Sequence, residues 1–294
     1  MRIKGVEIED TFAEAFEMWG ARVLVTATNR RWVLTAAREA TGFATSIIGC
    51  GCEAAIEREL SLGETPDGRP GVSLLFFAPS AGDLEDQLLL RVGQAVMTCP
   101  TTACYNGLAS DRQVVVGGKL RYFGDGFQIS KLLEGRRFWR IPVMDGEFLV
   151  EERFGIQKGV AGGNLIILAE THEAALLAAE AAVGAMRSVE GVALPFPGGI
   201  VRSGSKVGCR YRSLRASTNA AYCPTLRPLV DSALPEGVNA AYEIVILGLC
   251  EEVVRAAMRA GIEPACRPGV VRISAGNYGG KLGPVHIYLR ELWS

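Results

Sequence analysis

The strongest constraint on the fold is a pattern that occurs four times: an apolar run, a helix with one apolar face, and a second apolar run. The first unit comprises "ARVLVTA" (21–27), a helix over 29–40 and "ATSIIGC" (44–50). The second comprises "GVSLLFFAP" (71–79), a helix over 83–97 with Asp83 as its expected N-cap, and a short strand around 101–105. The third is "NLIILAE" (164–170), a helix over 171–189 and "GVALPF" (191–196). The fourth is "AAYEIVILGL" (240–249), the helix "EEVVRAAMRAG" (251–261) and "GVVRISAG" (269–276). A doubly wound parallel sheet needs short connections, whereas the spacers here run over about 53–70 and 201–238. Two β-α-β units per half with long connections match the split, ferredoxin-like arrangement, an antiparallel sheet with helices on one face. The chain is therefore predicted to be α+β, with two such lobes over 1–148 and 149–294. The stretch 114–159 reads as strand and turn.

Charge and cysteine usage narrow the function. With 31 basic and 32 acidic residues the net charge is −1, and no basic block or tail stands out, so nucleic acid and acidic membrane surfaces are not expected partners. No apolar leader opens the chain and no uninterrupted apolar run is long enough to span a bilayer, so a cytoplasmic location is expected. Of the eight cysteines only Cys50 and Cys52 form a tight pair. Cys-x-Cys without a second pair or a spaced histidine is a poor metal pattern, and packing under a turn is the expectation. Only His172 and His286 are present, which turns attention from Ser-His or Cys-His chemistry toward carboxylate or backbone chemistry. His172, at a helix start, reads as a surface residue. Glu251, Arg255 and Arg259 share one helix face opposite Val254, Met258 and Gly261, and read as a solvated face.

"SAGNYGGKLG" (274–283) looks at first like a phosphate loop. A Walker loop requires glycine where Ala275 stands and a hydroxyl where Leu282 stands, and must lead into a helix. Here "PVHIYLREL" follows and alternates like a strand, so the phosphate reading fails. "FPGGIVRSGSKVG" (196–208) ends in the same Lys-apolar-Gly pattern, and "GGKL" recurs at 117–120. Two readings remain open: glycines that make bulges and tight returns at sheet ends, or bare backbone against which an extended ligand lies, with lysine meeting its anionic part.

Several of these motifs, with "GVEIEDTFAEAF" (5–16), "EATGF" (39–43), "ETPDGRPG" (64–71), "FGDG" (123–126), "GVAGGN" (159–164), "YEIVILGL" (242–249) and "RISAGNYGGKLG" (272–283), together resemble the formylmethanofuran–tetrahydromethanopterin formyltransferase family. The matches run in order along essentially the whole chain. The resemblance implies transfer of a formyl group between the amine of methanofuran and N5 of tetrahydromethanopterin, both as cosubstrates, with no tightly bound cofactor or metal. It also implies two ferredoxin-like lobes, and a homo-oligomer (dimer or tetramer) or a subunit of a formyltransferase/hydrolase complex. The near-neutral charge points to the bacterial branch. The chain departs from the family pattern at Cys50-Gly51-Cys52-Glu53-Ala54-Ala55, where Glu53 is retained, and at Arg202 and Pro264.

Formyl transfer between nitrogens needs positioning, a donor for the oxyanion and a proton shuttle. Glu243 is the expected catalytic residue: a carboxylate inside an apolar strand is held protonated by burial, unless it points to the solvent face. Lys281, Asn277 and Lys206 are expected to meet cosubstrate carboxylates, with Asp125, Asn164 and Glu53 as further substrate-binding candidates; Asp125 and Asn164 equally suit turns. A non-catalytic binding or assembly subunit is the rival reading.

Overall fold

The computed structural model describes residues 1–293. The chain forms two compact α+β lobes, one of Met18–Gly159 and the other of Met1–Glu17 with the chain from Val160 onward. The boundary expected near 148 lies inside the first lobe; the two divide after Glu17 and after Gly159, within the long strands Phe12–Thr26 and Arg153–Ala169. A strand uninterrupted in sequence gives no composition change at which to place such a division.

In the Met18–Gly159 lobe the sheet order is Glu53–Leu60, Gly71–Ala78, Phe12–Thr26, Ala103–Asn106, Gly146–Glu151, Arg136–Val143 and Ile129–Leu133. All neighbours are antiparallel except Ala103–Asn106 with Gly146–Glu151, which are parallel. Two helices, Arg30–Thr41 and Ala81–Arg91, cover the sheet, and the second runs on into a single π turn, Val92–Val96. Val33, Ala36, Ala37 and Ala40 recur at helical spacing and pack on Val23, Val25, Val72 and Leu74. Asn29 caps the first helix by accepting from the Trp32 N–H at 3.2 Å. Its far end is held by Arg91, which donates to the carbonyls of Ala40 and Gly42 at 2.7 and 2.8 Å.

Three local expectations in this lobe change. "ATSIIGC" is a turn, and the strand is Glu53–Leu60, which reads as spacer because two glutamates in it are buried and a bulge between Ile56 and Arg58 breaks the alternation. Ser80, and not Asp83, caps the second helix: the Ser80 hydroxyl accepts from the Asp83 N–H at 3.0 Å and donates to its carboxylate at 2.6 Å. "GGKL" at Gly117–Leu120 is one helical turn rather than a strand-end return.

The other lobe has the order Arg2–Ile3, Val6–Ile8, Val270–Ser274, Arg153–Ala169, Ala240–Gly248, Val192–Ala193. Val6–Ile8 pairs parallel with Val270–Ser274. Val285–Tyr288 pairs with Phe12–Ala15, after which the alternating C-terminal stretch becomes the 3-10 turn Leu289–Trp293. Helices His172–Met186 and Glu251–Ala265 lie on one face, with Leu165, Ile167, Ile244 and Ile246 beneath them. Alanines 175, 178, 179 and 182 give the two helices a small-residue contact surface, while Glu251 and Arg255 pair outside it at 2.7 Å. The opposite sheet face carries Asn164, Ile166, Leu168 and Glu243. It is roofed by the long connection read as a spacer, whose Tyr222, Leu234 and Val238 pack on Ile166 and Leu168. Among the described residues no helix is long and apolar enough to cross a membrane. Ser80→Ala is expected to cost about 1 kcal/mol in urea unfolding through loss of the cap; unchanged stability would show that the helix start needs no side-chain acceptor.

Candidate functional site

Glu243 sits at the centre of the roofed face, paired across the sheet with Ile166 and bridged on its other side to Val201, whose N–H donates to the Glu243 carbonyl at 2.7 Å. Period two turns its neighbours Tyr242 and Ile244 to the helix side and its own side chain under the roof. The carboxyl is buried, with only 8% of the residue exposed. Its Oε1 accepts from the Ser205 hydroxyl at 2.7 Å, while Oε2 is buried without a hydrogen-bond partner among the described residues. Burial pushes its pKa above the ordinary carboxylate value, and the Ser205 hydrogen bonds pull it only part of the way back. Burial thus favours the protonated form of a carboxyl that has one oxygen held and the other without a partner. The residue lines a small cleft of about 40 Å³, together with Arg202, Ser203, Asn219, Tyr222 and Cys223.

The two glycine–lysine stretches of this lobe meet beside that carboxyl. The Tyr278 hydroxyl accepts from the Val207 N–H at 2.8 Å and lies 3.5 Å from the Ser205 carbonyl. Burial raises the Tyr278 pKa; the Val207 N–H lowers it, and the Glu243 and Glu14 charges raise it further. The glycines of the second stretch answer a backbone demand. Gly280 has φ 74°, and a Cβ on Gly283 would lie 2.2 Å from the Ala15 carbonyl oxygen. The loop is nonetheless an anion cradle, and the anion belongs to the chain. The Glu14 carboxylate accepts the N–H groups of Tyr278 (2.6 Å), Gly280 (3.1 Å), Leu282 and Gly283 (2.8 Å). Burial alone would raise its pKa, but the four donors outweigh it and the carboxyl lies below its usual value.

The structure distributes the other candidates unevenly. Lys206, in the hairpin Lys206–Val207 with Ala216–Ser217, and Lys281 are both exposed on the two touching loops. Asn277 spends its amide on the chain, donating to Thr11 Oγ1 and the Phe12 carbonyl at 3.0 and 3.1 Å and accepting from Gly279. Asn164 likewise holds Gly276, accepting its N–H at 2.5 Å and donating to its carbonyl at 3.1 Å. These two asparagines position the loop. Asp125 belongs to the other lobe, exposed at a left-handed turn with φ 51°. Glu53 is also in that lobe, buried, and accepts from the Ile47 N–H at 3.1 Å; burial lifts its pKa to about 7 against that donor. Cys50 and Cys52 are buried as a packing pair, and burial, offset in part by Arg91, pushes Cys52 up to about 11. Among the described residues no group of three or more His, Cys, Asp or Glu is placed to hold a metal ion.

Sequence reasoning passed over Ser205, Tyr278 and Glu14. Ser205 stands next to the lysine that drew attention by its charge. Glu14 carries the same signal as Glu243, an acid inside a strand of buried residues, in "TFAEAF". The exposed basic run Arg202, Lys206, Arg210, Arg212 and Arg215, with no acid among them, also corrects the expectation that no basic block stands out.

Against known proteins, residues 1–143 match the family model described as formylmethanofuran-tetrahydromethanopterin formyltransferase, and residues 146–292 match the one described as "FTR, proximal lobe". A formylmethanofuran–tetrahydromethanopterin formyltransferase of Methylococcus capsulatus is 57% identical, with 99% of both chains covered. Among solved structures, the corresponding enzyme from Methanosarcina barkeri superposes with a TM-score of 0.95 at 52% identity over all of both chains. A chain of the formyltransferase/hydrolase complex from Methylorubrum extorquens, solved with methylofuran, gives a TM-score of 0.96 at 50% identity, covering 100% of this chain and 99% of that one.

The raised pKa of Glu53 has a definite sign in stability. The unfolded state ionises it near 4.5 and the folded state near 7, so its contribution is full below 4.5 and is lost as pH rises through 7. Glu53→Gln is expected to flatten that decline in urea unfolding measured across this range; an unchanged pH slope would contradict it.

Proposed function

The chain belongs to the formylmethanofuran–tetrahydromethanopterin formyltransferase family, and from that premise we propose that Glu243 is the acid–base group of its reaction. The protein is a formyltransferase that moves a formyl group between methanofuran and tetrahydromethanopterin. The observation that carries the role of Glu243 is a buried carboxyl with Oε2 unpartnered, on a residue that lines the cleft.

In the reading proposed, the acceptor amine (N5 of the pterin in the forward sense) attacks the formamide carbon. A C–N bond forms and the carbonyl π electrons move to oxygen. The protonated Glu243 carboxyl donates a hydrogen bond to that oxyanion from Oε2, while Ser205 holds Oε1 so that the acid does not rotate. The nitrogen that leaves must depart as a neutral amine. Glu243 supplies its proton as the original C–N bond breaks, and the proton lost by the attacking amine restores the acid. No covalent enzyme intermediate is needed. Tyr222 also lines the cleft, with its hydroxyl hydrogen-bonded to Ser274.

The exposed cations give the long cosubstrates a second point of attachment. Arg202 lines the cleft, and Lys206, Lys281, Arg210, Arg212 and Arg215 are exposed on the loops that follow it and on the 276–283 loop; in this reading they form a basic margin that meets carboxylates on a cosubstrate tail. Membership of an oligomer, or of a larger complex like that of the Methylorubrum extorquens relative, fits this reading.

Glu243→Gln keeps shape and loses the transferable proton. It is expected to lower kcat by about 10²-fold or more with KM nearly unchanged, measured as formyl exchange by the purified chain. Near-normal turnover would remove Glu243 from the mechanism. If the basic margin meets anionic tails, KM is expected to rise with ionic strength in the wild type and less steeply in Lys206→Gln and Arg210→Gln variants; a salt-independent KM would contradict that attachment.

A further inference from the structure

We propose that Glu14 is a positioning residue for the Glu243 centre: its carboxylate fills the 278–283 backbone nest as a built-in anion and so fixes Tyr278 against the Ser205 loop. This rests on the reading of Glu243 as the acid–base group.

The connection is a continuous set of hydrogen bonds. Glu14 Oε2 takes the N–H groups of Tyr278 and Gly280, and Oε1 takes those of Leu282 and Gly283. Both oxygens are thus used twice, and each needs a lone pair. The Tyr278 ring then stands where its hydroxyl receives the Val207 N–H at 2.8 Å, two residues beyond Ser205. Ser205 in turn donates to Glu243 at 2.7 Å. A loop rich in glycine has little side-chain packing to fix it, and four N–H groups aimed at one point repel one another without an anion. The Glu14 strand is itself anchored: Asn277 holds Thr11 and Phe12, and the His286 ring packs at a tilt against Phe12 with ring centroids 4.8 Å apart. The titratable groups facing this chain of contacts are His286, opposite Glu14 in the sheet, and Tyr278 at Glu14, and Tyr222, Tyr278, Arg202 and Cys223 at Glu243.

Glu14→Gln is isosteric but turns one acceptor oxygen into a donor that faces N–H groups. It is expected to speed amide hydrogen exchange at 278–283 and to lower kcat by about tenfold or more with a smaller change in KM. It is also expected to move the pH limb assigned to Glu243 upward, because a slack Ser205 no longer lowers that pKa. Ser205→Ala and Tyr278→Phe are expected to move the same limb the same way, Tyr278→Phe with amide protection at 280–283 retained. In Glu14→Ala, added acetate is expected to restore part of the turnover and the amide protection, which a purely packing role would not produce. Rapid amide exchange with wild-type kcat and pH profile in Glu14→Gln would overturn the proposal. If that variant fails to fold, an unmoved pH profile in Tyr278→Phe overturns it. Should Glu243→Gln remain active, the acid–base reading itself falls; wild-type turnover in the Glu14 variants beside an inactive Glu243→Gln sinks only the positioning role.

Discussion

Four backbone N–H groups converging on the Glu14 carboxylate are the interaction on which the functional lobe depends. The 276–283 loop has few apolar contacts of its own, and Leu282 is exposed. What gives the loop one conformation is an ionised carboxylate placed where its donors converge, together with Asn164 and Asn277 at its two ends. From this loop Tyr278 reaches the Ser205–Val207 segment, and from that segment Ser205 reaches Glu243. The Glu243 carboxyl is thus held by contacts that begin at Glu14 near the N-terminus and pass through the loop before the last strand.

Glu14 and Glu243 show how one side chain takes two roles according to its donors. Both are buried in strands, and burial raises the pKa of each. Glu14 receives N–H donors at both oxygens, enough to overcome desolvation, and is an anion. Glu243 has Ser205 at one oxygen and none at the other, so desolvation prevails and its proton is retained toward higher pH. The first state suits a structural anion. The second suits transfer between two nitrogens, in which a proton must be available at the moment an oxyanion forms and an amine departs.

Much of this was legible in the sequence where burial and alternation coincide. Gly71–Ala78 and Ala240–Gly248 announce themselves by apolar runs, and the helices by the spacing of their apolar residues. The acid within "AYEIVIL" marked Glu243 because an apolar strand has no cheap place for a charge. Legibility ended where a partner is remote. Glu53–Leu60 is disguised by Glu57, whose partners Arg22 and Ser73 lie elsewhere in the chain, and by a bulge that shifts its period. Gly283 is required by the Ala15 carbonyl, which sequence does not place beside it. That the Asn277 amide also anchors its loop was not legible, because its acceptors, Thr11 and Phe12, come from the opposite end of the chain. Ser205 was hidden beside a lysine with a more obvious charge.

Proton donation by Glu243 requires its carboxyl to be protonated where ordinary glutamates are ionised. Infrared difference spectra between wild type and Glu243→Gln, recorded as pH rises from the ordinary carboxylate range toward neutrality, observe that proton directly. A protonated-carboxyl band assigned to Glu243 that persists above the usual glutamate pKa is the result this account predicts. A band that disappears with the ordinary glutamates, leaving an ionised carboxylate throughout the range in which the enzyme works, would contradict it.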